Sequence, residues 1–272
     1  MLEFIKNELA KFNIDLVSSL SLSECKITRP YLLERNEINS GSAIIFIVPY
    51  LTKVSSGNRN ISSYAVSRDY HLFFASLFDE LIPILKEKYP QNKFVGFTDH
   101  SPIDEIHVSA LSGLGVIGKN HLLITEKYSS YIFIGEIITD AILPSSAGEI
   151  MECINCGKCL SACPVNMKID ACLSALTQKK GDFNDTEKKA LILHNCAWGC
   201  DKCQECCPYT LKAKADETIY SKIEFFNENL TPVITSEIIE NMANDEFSSR
   251  AYSWRGKKTI LRNLEILNGK EQ

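Results

Sequence analysis

Five cysteines fall within the twenty residues from Cys153 to Cys172, in the stretch CINCGKCLSACPVNMKIDACLSAL, and ten of the chain's eleven lie between Cys153 and Cys207. No ordinary apolar core uses cysteine at that density, so this segment is built around a site. The rest of the sequence has to accommodate it.

Cys153, Cys156, Cys159 and Cys163 obey C-x2-C-x2-C-x3-C-P, with Pro164 last. That spacing wraps three thiolates around one cubane iron-sulfur cluster and sends the fourth to a second cluster. Structural zinc is the blander reading, but zinc ribbons use paired C-x2-C knuckles separated by longer loops. A second group, GCDKCQECCP, places Cys200, Cys203 and Cys207 before Pro208. Two cubanes need eight thiolates, the two groups supply seven, and Cys172 makes the eighth. In the crossed arrangement Cys153, Cys156 and Cys159 share a cluster with Cys207, while Cys163, Cys172, Cys200 and Cys203 hold the other. Cys25 and Cys196 are assigned to packing, as small hydrophobes. Cys206 stays open, because it could exchange roles with Cys207; the following proline favours Cys207.

Around this segment the chain reads as an ordinary globular protein, with 45% hydrophobic and 23% charged residues. A formal net charge of -5 gives no global electrostatic pull toward nucleic acid. The opening MLEFIKNELAKFNIDLV mixes charges at helical spacing and lacks a signal-peptide core, and no apolar run is long enough for a bilayer. A cytoplasmic, reducing location is therefore expected, where clustered cysteines mean metal or catalysis more than disulfides.

The first half alternates strand-like and helix-like segments, which predicts a mixed α/β architecture. AIIFIVPY, KFVGFTD, LLIT and YIFIGEIIT read as strands; SYAVSRDYHLFFASLFDELIPILKEKY and DEIHVSALS read as helices. Periodicity stops near ILPSSAGEIMEC, a linker into the cysteine segment. That segment has too few apolar residues for a core of its own, so what the cysteines bind replaces one. Beyond Pro208 the helical patterns TSEIIENMANDEF and KKTILRNLEIL follow.

GLGVIGKN, from Gly113, satisfies G-x-G-x-x-G but follows a helical segment and precedes a strand, the reverse of a dinucleotide site. It also nearly spells a phosphate loop, yet Asn120 stands where Ser or Thr must meet magnesium. The glycines still imply a tight turn. His71, inside a helical pattern, is not nominated as a metal ligand. Glu105 reads either as a first-turn helix charge or as a pocket residue. Lys179, Lys180, Lys257 and Lys258, with Arg255 and Arg262, form a possible basic strip for phosphates, with solvated charge as the default.

Taken together, SRDYH, TDHSPIDE, ALSGLGVIGKN, the GEIIT strand, both cysteine groups, CLSALTQKKG and SWRGKKTILRN resemble the cobalamin-dependent epoxyqueuosine reductases, in family order across nearly the whole chain. The resemblance implies an α+β, nitroreductase-like domain over residues 1–147 that binds a corrinoid and performs catalysis. A ferredoxin-like domain with two [4Fe-4S] clusters follows over 148–215, and then a helical segment over 216–272. It implies reduction of epoxyqueuosine to queuosine in tRNA by cob(I)alamin, with electrons from an external donor such as flavodoxin or ferredoxin. Asp99 takes the place of the family's proton donor, and Arg29, Asp99, Ser174 and Asp201 take the places of cobalamin contacts. The GLGVIGKN turn falls to the corrinoid pocket. In the family an acid quenches charge on the departing oxygen; read from the residues alone, Asp99 is a cap for the following helix. Full-length relatives continue past SWRGKK into HEAT-like repeats that help hold tRNA, whereas this sequence ends at Gln272, so it reads as a short form. Two alternatives follow: a corrinoid-dependent reductase of another small molecule or reductive activator of a corrinoid protein, and a ferredoxin-type electron carrier.

Overall fold

The computed structural model describes residues 1–269, which divide into two compact units that interleave along the chain. The first comprises Met1–Tyr50, Phe73–Cys156 and Lys212–Ile219; the second comprises Leu51–Leu72, Gly157–Leu211 and the chain from Tyr220 onward. These units do not follow the linear boundaries at 147 and 215 drawn from the sequence. The physical reason is the excursion from Leu51 to Leu72, whose apolar residues Ile61, Ala65 and Val66 belong to the core of the second unit.

The first unit is built on β1 (Val17–Ser21), β2 (Ser42–Pro49), β3 (Phe94–Phe97) and β6 (Ile132–Thr139), in the spatial order β1-β2-β6-β3 with every pair antiparallel. A hairpin of β4 (Val116–Ile117) and β5 (Leu123–Ile124) stands apart from it. The helices are α1 (Leu2–Ala10), α2 (Pro30–Arg35), α3 (Tyr70–Lys88) and α4 (Glu105–Leu111). All eight residues of β2 are buried, so its continuous apolar run reflects cover on both faces rather than one. Ala43, Ile45 and Ile47 enter one core cluster with Ile134, Ile138, Ile103 and Val108. On the other face Phe46 meets Phe74 and Phe78 of α3.

The α3 ring cluster needs room on the sheet, and two glycines provide it. A Cβ on Gly135 would lie 2.4 Å from Phe46 and 2.5 Å from Phe74, and one on Gly96 would lie 2.4 Å from Phe78. Gly135→Ala is therefore expected to cost about 1–3 kcal/mol by overpacking, read as a lower urea midpoint with an unchanged slope.

The second unit contains α5 (Lys158–Ala162), α6 (Leu173–Gln178), α7 (Asp185–His194) and α8 (Lys202–Glu205). After α9 (Pro208–Ala215), in which the chain passes between units, come α10 (Glu224–Asn227), α11 (Ser236–Asn241), α12 (Asn244–Ser248) and α13 (Lys257–Asn268). Its core gathers Trp198, Tyr252, Ile239, Ile260 and Leu264, and the Trp198 indole donates to the Tyr64 hydroxyl at 2.7 Å. Asn263, fully buried on α13, donates to the Thr177 and Ala197 carbonyls at 2.7 and 2.8 Å. An amide with both hydrogens spent on backbone fixes the helix to the turns beside the cysteines.

Two expectations change in detail, and one strand goes beyond the reading. The long helix begins at Tyr70, and only Ser63–Ala65 of the preceding segment forms a short 3-10 turn. TSEIIENMANDEF splits into α11 and α12, with Met242 and Ala243 extended between them. The serine-rich VSSLS forms β1, although no apolar alternation announces it. No helix among the described residues is long and apolar enough to cross a membrane.

Candidate active site

The segment from Thr98 to Asp104 leaves the end of β3 and is tied down at both ends. Thr98 donates through its hydroxyl to the Ile134 carbonyl of β6 at 3.3 Å. At the other end Thr28 and Arg29 donate backbone N–H groups to the Pro102 carbonyl at 2.8 and 3.1 Å, and Asp104 donates to the Lys26 carbonyl at 2.9 Å. The Arg29 guanidinium adds a bond to the Ser101 carbonyl at 3.0 Å. Between these anchors Asp99 is exposed, with a left-handed φ of 57°. Non-glycine residues adopt that conformation rarely, and Asp and Asn do so most easily. Beside it, the Tyr31 hydroxyl and His100 Nε2 lie 2.7 Å apart.

Asp99 is not the helix cap. That position belongs to Asp104, whose carboxylate accepts from the His107 N–H at 3.2 Å and forms an ion pair with Lys26 at 2.7 Å. The bland reading of Asp99 thus loses its basis.

Behind this segment sits a residue that the sequence reading passed over. Glu136 lies on β6, opposite Ile45 of β2 and Phe97 of β3, and is fully buried. The alternation of β6 turns it to the same face as Ile134 and Ile138. Neither of its carboxylate oxygens has a hydrogen-bond partner of good geometry. Burial pushes its pKa up to about 8; the Ser101 hydroxyl opposes that rise, while the charges of Glu105 and Asp99 reinforce it. Glu105, at the start of α4, is pushed to about 7 by burial and by the charges of Asp99 and Asp104, with Arg29 and the Asp99 N–H pulling the other way. A glutamate inside the apolar run YIFIGEIIT was the available signal.

The sign of the pH effect follows. An acid whose folded pKa is raised binds more protons folded than unfolded between the two values, so stability falls as pH rises through that window. For Glu136 the window runs from 4.5 to about 8. Glu136→Gln is expected to flatten that fall and to be more stable than the unmodified chain above pH 8. The gain is on the order of a few kcal/mol, at about 1.4 kcal/mol per pH unit between the two values. Urea midpoints measured from pH 5 to 9 check it.

The glycine-rich turn explains itself locally. It follows α4 and leads through β4 to β5, as its sequence context predicts. A Cβ on Gly115 would lie 2.6 Å from the Ile124 carbonyl, and one on Gly118 would lie 2.2 Å from Asn120 Oδ1. Gly115 is therefore required by the hairpin's own backbone, while a side chain at Gly118 would have to displace the Asn120 amide.

Within the second unit, α5 packs on α8, bringing together the short helices that carry Cys159 and Cys203. Cys172 and Cys196 each lie near Cys200, and burial first, then the charge of Asp201, pushes the Cys200 thiol up to about 12. Such a thiol becomes a thiolate ligand only beside a strong positive charge, which iron supplies. The spacing of the two cysteine groups, with Cys159 and Cys203 on helices α5 and α8 that pack together, fits an iron-sulfur group. Among the described residues no group of three His, Cys, Asp or Glu side chains is placed to hold a single metal ion. Cys207 is buried, whereas Cys206 is half-buried. Cys25 and Cys196 behave as packing residues: each donates through Sγ to a backbone carbonyl at 3.3 Å, Ser21 and Trp198 respectively, and burial pushes both up to about 12.

Comparison with known proteins supplies the frame. No protein-family model matches the chain. An epoxyqueuosine reductase from Listeria monocytogenes is 35% identical over 208 residues, covering 73% of this chain and 54% of that protein. The structure of epoxyqueuosine reductase from Streptococcus thermophilus superposes with a TM-score of 0.80 at 22% identity, over 97% of this chain and 80% of that one. A crystal structure of epoxyqueuosine reductase with an epoxyqueuosine-modified tRNA-Tyr stem loop gives 0.75 at 23%, over the same shares.

The chain belongs to the epoxyqueuosine reductase family.

It spans about half the length of the curated relative it matches. The remaining residues expected from the epoxyqueuosine reductase resemblance are placed as follows. Arg29 precedes α2 and braces the Ser101 carbonyl. Ser174, on α6, accepts from the Gln178 side chain at 3.2 Å. Asp201 is buried, and its carboxylate accepts from the Ser62 hydroxyl, from the Ser63 N–H at 2.7 Å, from Arg59 at 2.9 Å and from Gln204 at 3.2 Å. Its lone pairs are thus spent within the protein. His71 is exposed and pairs with Asp69 at 2.8 Å. Half of the basic strip is engaged in internal bonds. Arg262 donates to the Lys179 and Gly181 carbonyls, Lys179 pairs with Glu187, and Lys257 donates to the Met242 carbonyl.

Proposed function

We propose that this protein reduces epoxyqueuosine to queuosine in tRNA, with a corrinoid as the reacting cofactor and two [4Fe-4S] clusters supplying electrons from an external donor. The observation that carries the reading is Asp99, held on left-handed backbone in a segment braced at both ends and free of a capping duty, in a chain belonging to this family. Eight thiols are assigned to the clusters: Cys153, Cys156, Cys159, Cys163, Cys172, Cys200, Cys203 and Cys207. Arg29 and Asp99 are assigned to the corrinoid edge of the first unit. Reduced cobalt, when bound, supplies electrons to an epoxide carbon.

The chain's own part in the chemistry is positional and acid-base. Asp99 Oδ delivers a proton to the oxygen as it departs, which requires the acid form. Bringing an apolar cofactor face and a substrate over the exposed carboxyl removes water from it and favours that form. Arg29 holds the segment through the Ser101 carbonyl, so the reach of Asp99 is fixed before substrate arrives.

Anaerobic reconstitution with iron, sulfide and cobalamin, followed by mass spectrometry of epoxyqueuosine-containing tRNA, tests the reading. Loss of one oxygen from the modified nucleoside is the expected result. An unchanged nucleoside, with both cofactor types bound, overturns the substrate assignment. A chain that takes up iron and no corrinoid is an electron carrier instead.

A further inference from the structure

Cys172 is half-buried, and within the second unit it lines a surface groove of about 500 Å³ between α6, the turn before it and α7. Leu173, 4% exposed, forms the floor, and Val165, Leu176 and Ala190 line the sides. Val165 is two residues past Cys163, so the groove takes in one thiol assigned to a cluster and adjoins the chain that carries another of the same four. Both rims carry large apolar side chains in solvent. On α7, Thr186, Lys189, Ala190 and Leu193 stand at i, i+3, i+4 and i+7, so the stripe that lines the groove runs on to Lys189 and to Leu193, 76% exposed. Opposite, the turn Ile169–Ala171 presents Ile169, 71% exposed. Exposed apolar residues are ordinary one at a time, whereas two beside one apolar groove make a patch. The charge around it is positive: residues 165–193 carry five lysines and four carboxyls in a chain of formal net charge -5. Glu187 is spent on Lys179 at 2.6 Å, and Asp185 faces Lys188 at 3.9 Å. Lys168, Lys180 and Lys189 are exposed and in no ion pair among the described residues, with Asp170 and Asp182 set against them.

We propose that this groove is the docking face for the protein that supplies the electrons: a small acidic carrier of one low-potential electron at a time, of the flavodoxin kind, with an apolar edge of its redox group at its surface. The inference deepens the proposed function and rests on its cluster assignment. Taking an epoxide to an alkene and water consumes two electrons and two protons, so two carrier encounters serve each turnover. In each, the carrier is oxidised by one electron and the cluster assigned to Cys163, Cys172, Cys200 and Cys203 is reduced by one; no bond forms or breaks. An encounter repeated at every turnover has to be brief. Interfaces of that kind are small and owe their speed to complementary charge. A short apolar groove flanked by unpaired lysines meets both needs and selects an acidic partner. Electron transfer weakens steeply with distance, so the point of entry belongs where a ligand thiol lines the surface, and Cys172 does so here.

The test uses the reconstituted protein, titrated at low salt with purified flavodoxin and without tRNA. Calorimetry reads binding, and carbodiimide cross-linking with peptide mass spectrometry names the lysines that meet flavodoxin carboxylates. Links at Lys168, Lys180 or Lys189 are expected. Lys189→Glu and Leu193→Asp, both at exposed positions, should each weaken binding by about tenfold or more. Each should slow bleaching of the cluster absorption by reduced flavodoxin to the same degree, while bleaching by dithionite stays unchanged. Flavodoxin that does not bind, that binds both variants as it binds the unmodified protein, or that links only to lysines elsewhere overturns the proposal. So does a dimer of the protein alone that Leu193→Asp dissociates, since the face then belongs to a second copy. No substrate is present in these readings, which keeps them apart from the deoxygenation assay. Docking and bleaching as expected, with the nucleoside unchanged, overturn the proposed function and uphold the docking face.

Discussion

Under the proposed function, Asp99→Asn is expected to lower deoxygenation of the tRNA nucleoside by about 10²–10⁴-fold, the range expected when a positioned acid is removed, while iron content stays as in the unmodified protein. The substitution is unusually clean. Asparagine tolerates the left-handed conformation as well as aspartate does, so the φ of 57° is kept without new strain. Helix α4 keeps its cap, because Asp104 makes the bond to the His107 N–H. The exposed side chain leaves no cavity behind. Single-turnover conversion followed by nucleoside mass spectrometry gives the rate. A variant that converts substrate at the unmodified rate would remove Asp99 from the reaction.

The largest expected effect on stability lies at Asp201. Asp201→Ala strips four donors of their acceptor at once and leaves the largely buried Arg59 guanidinium with only the half-exposed Glu205 as its acidic partner. Removing one member of a buried ion pair costs about 3–5 kcal/mol, because the other charge stays behind. Asp201→Asn keeps one acceptor oxygen and should fall between. Denaturant melts followed by the fluorescence of the fully buried Trp198 report on this unit. A loss below about 1 kcal/mol, the worth of a surface pair, would show that the network is not held as the structure has it. The same experiment bears on the cofactor assignment of Asp201, since a carboxylate bonded internally on every side is already accounted for by packing.

Much of this was legible in the residues. β2, β6 and α13 carry runs or periodicities long enough to be read without neighbours, and the cysteine spacing announces its chemistry directly. What escaped depends on partners remote in sequence. β1 is a strand because β2 pairs with it, its serines being no guide. Asp99 reads as the cap of the following helix on paper, and only the folded backbone gives that place to Asp104. Glu136 looks like an ordinary strand residue until the sheet order places it between β2 and β3. The engagement of the basic residues is likewise a matter of which carbonyls lie nearby.

The excursion from Leu51 to Leu72 has a further consequence for synthesis. Ser62 and Asp201 are 139 residues apart in the chain, and Asn60 meets Ile234 across 174. The first segment of the second unit, Leu51–Leu72, therefore leaves the ribosome long before the residues that complete it, and closing such loops is slow. From the translation of Cys207 until Ile260 and Leu264 of α13 follow, the cysteine-bearing segment is present and its enclosing core is not. Metal delivery and exclusion of oxygen thus become matters of timing during translation, and a transplanted 148–215 fragment would carry the thiols without the earlier residues that enclose them.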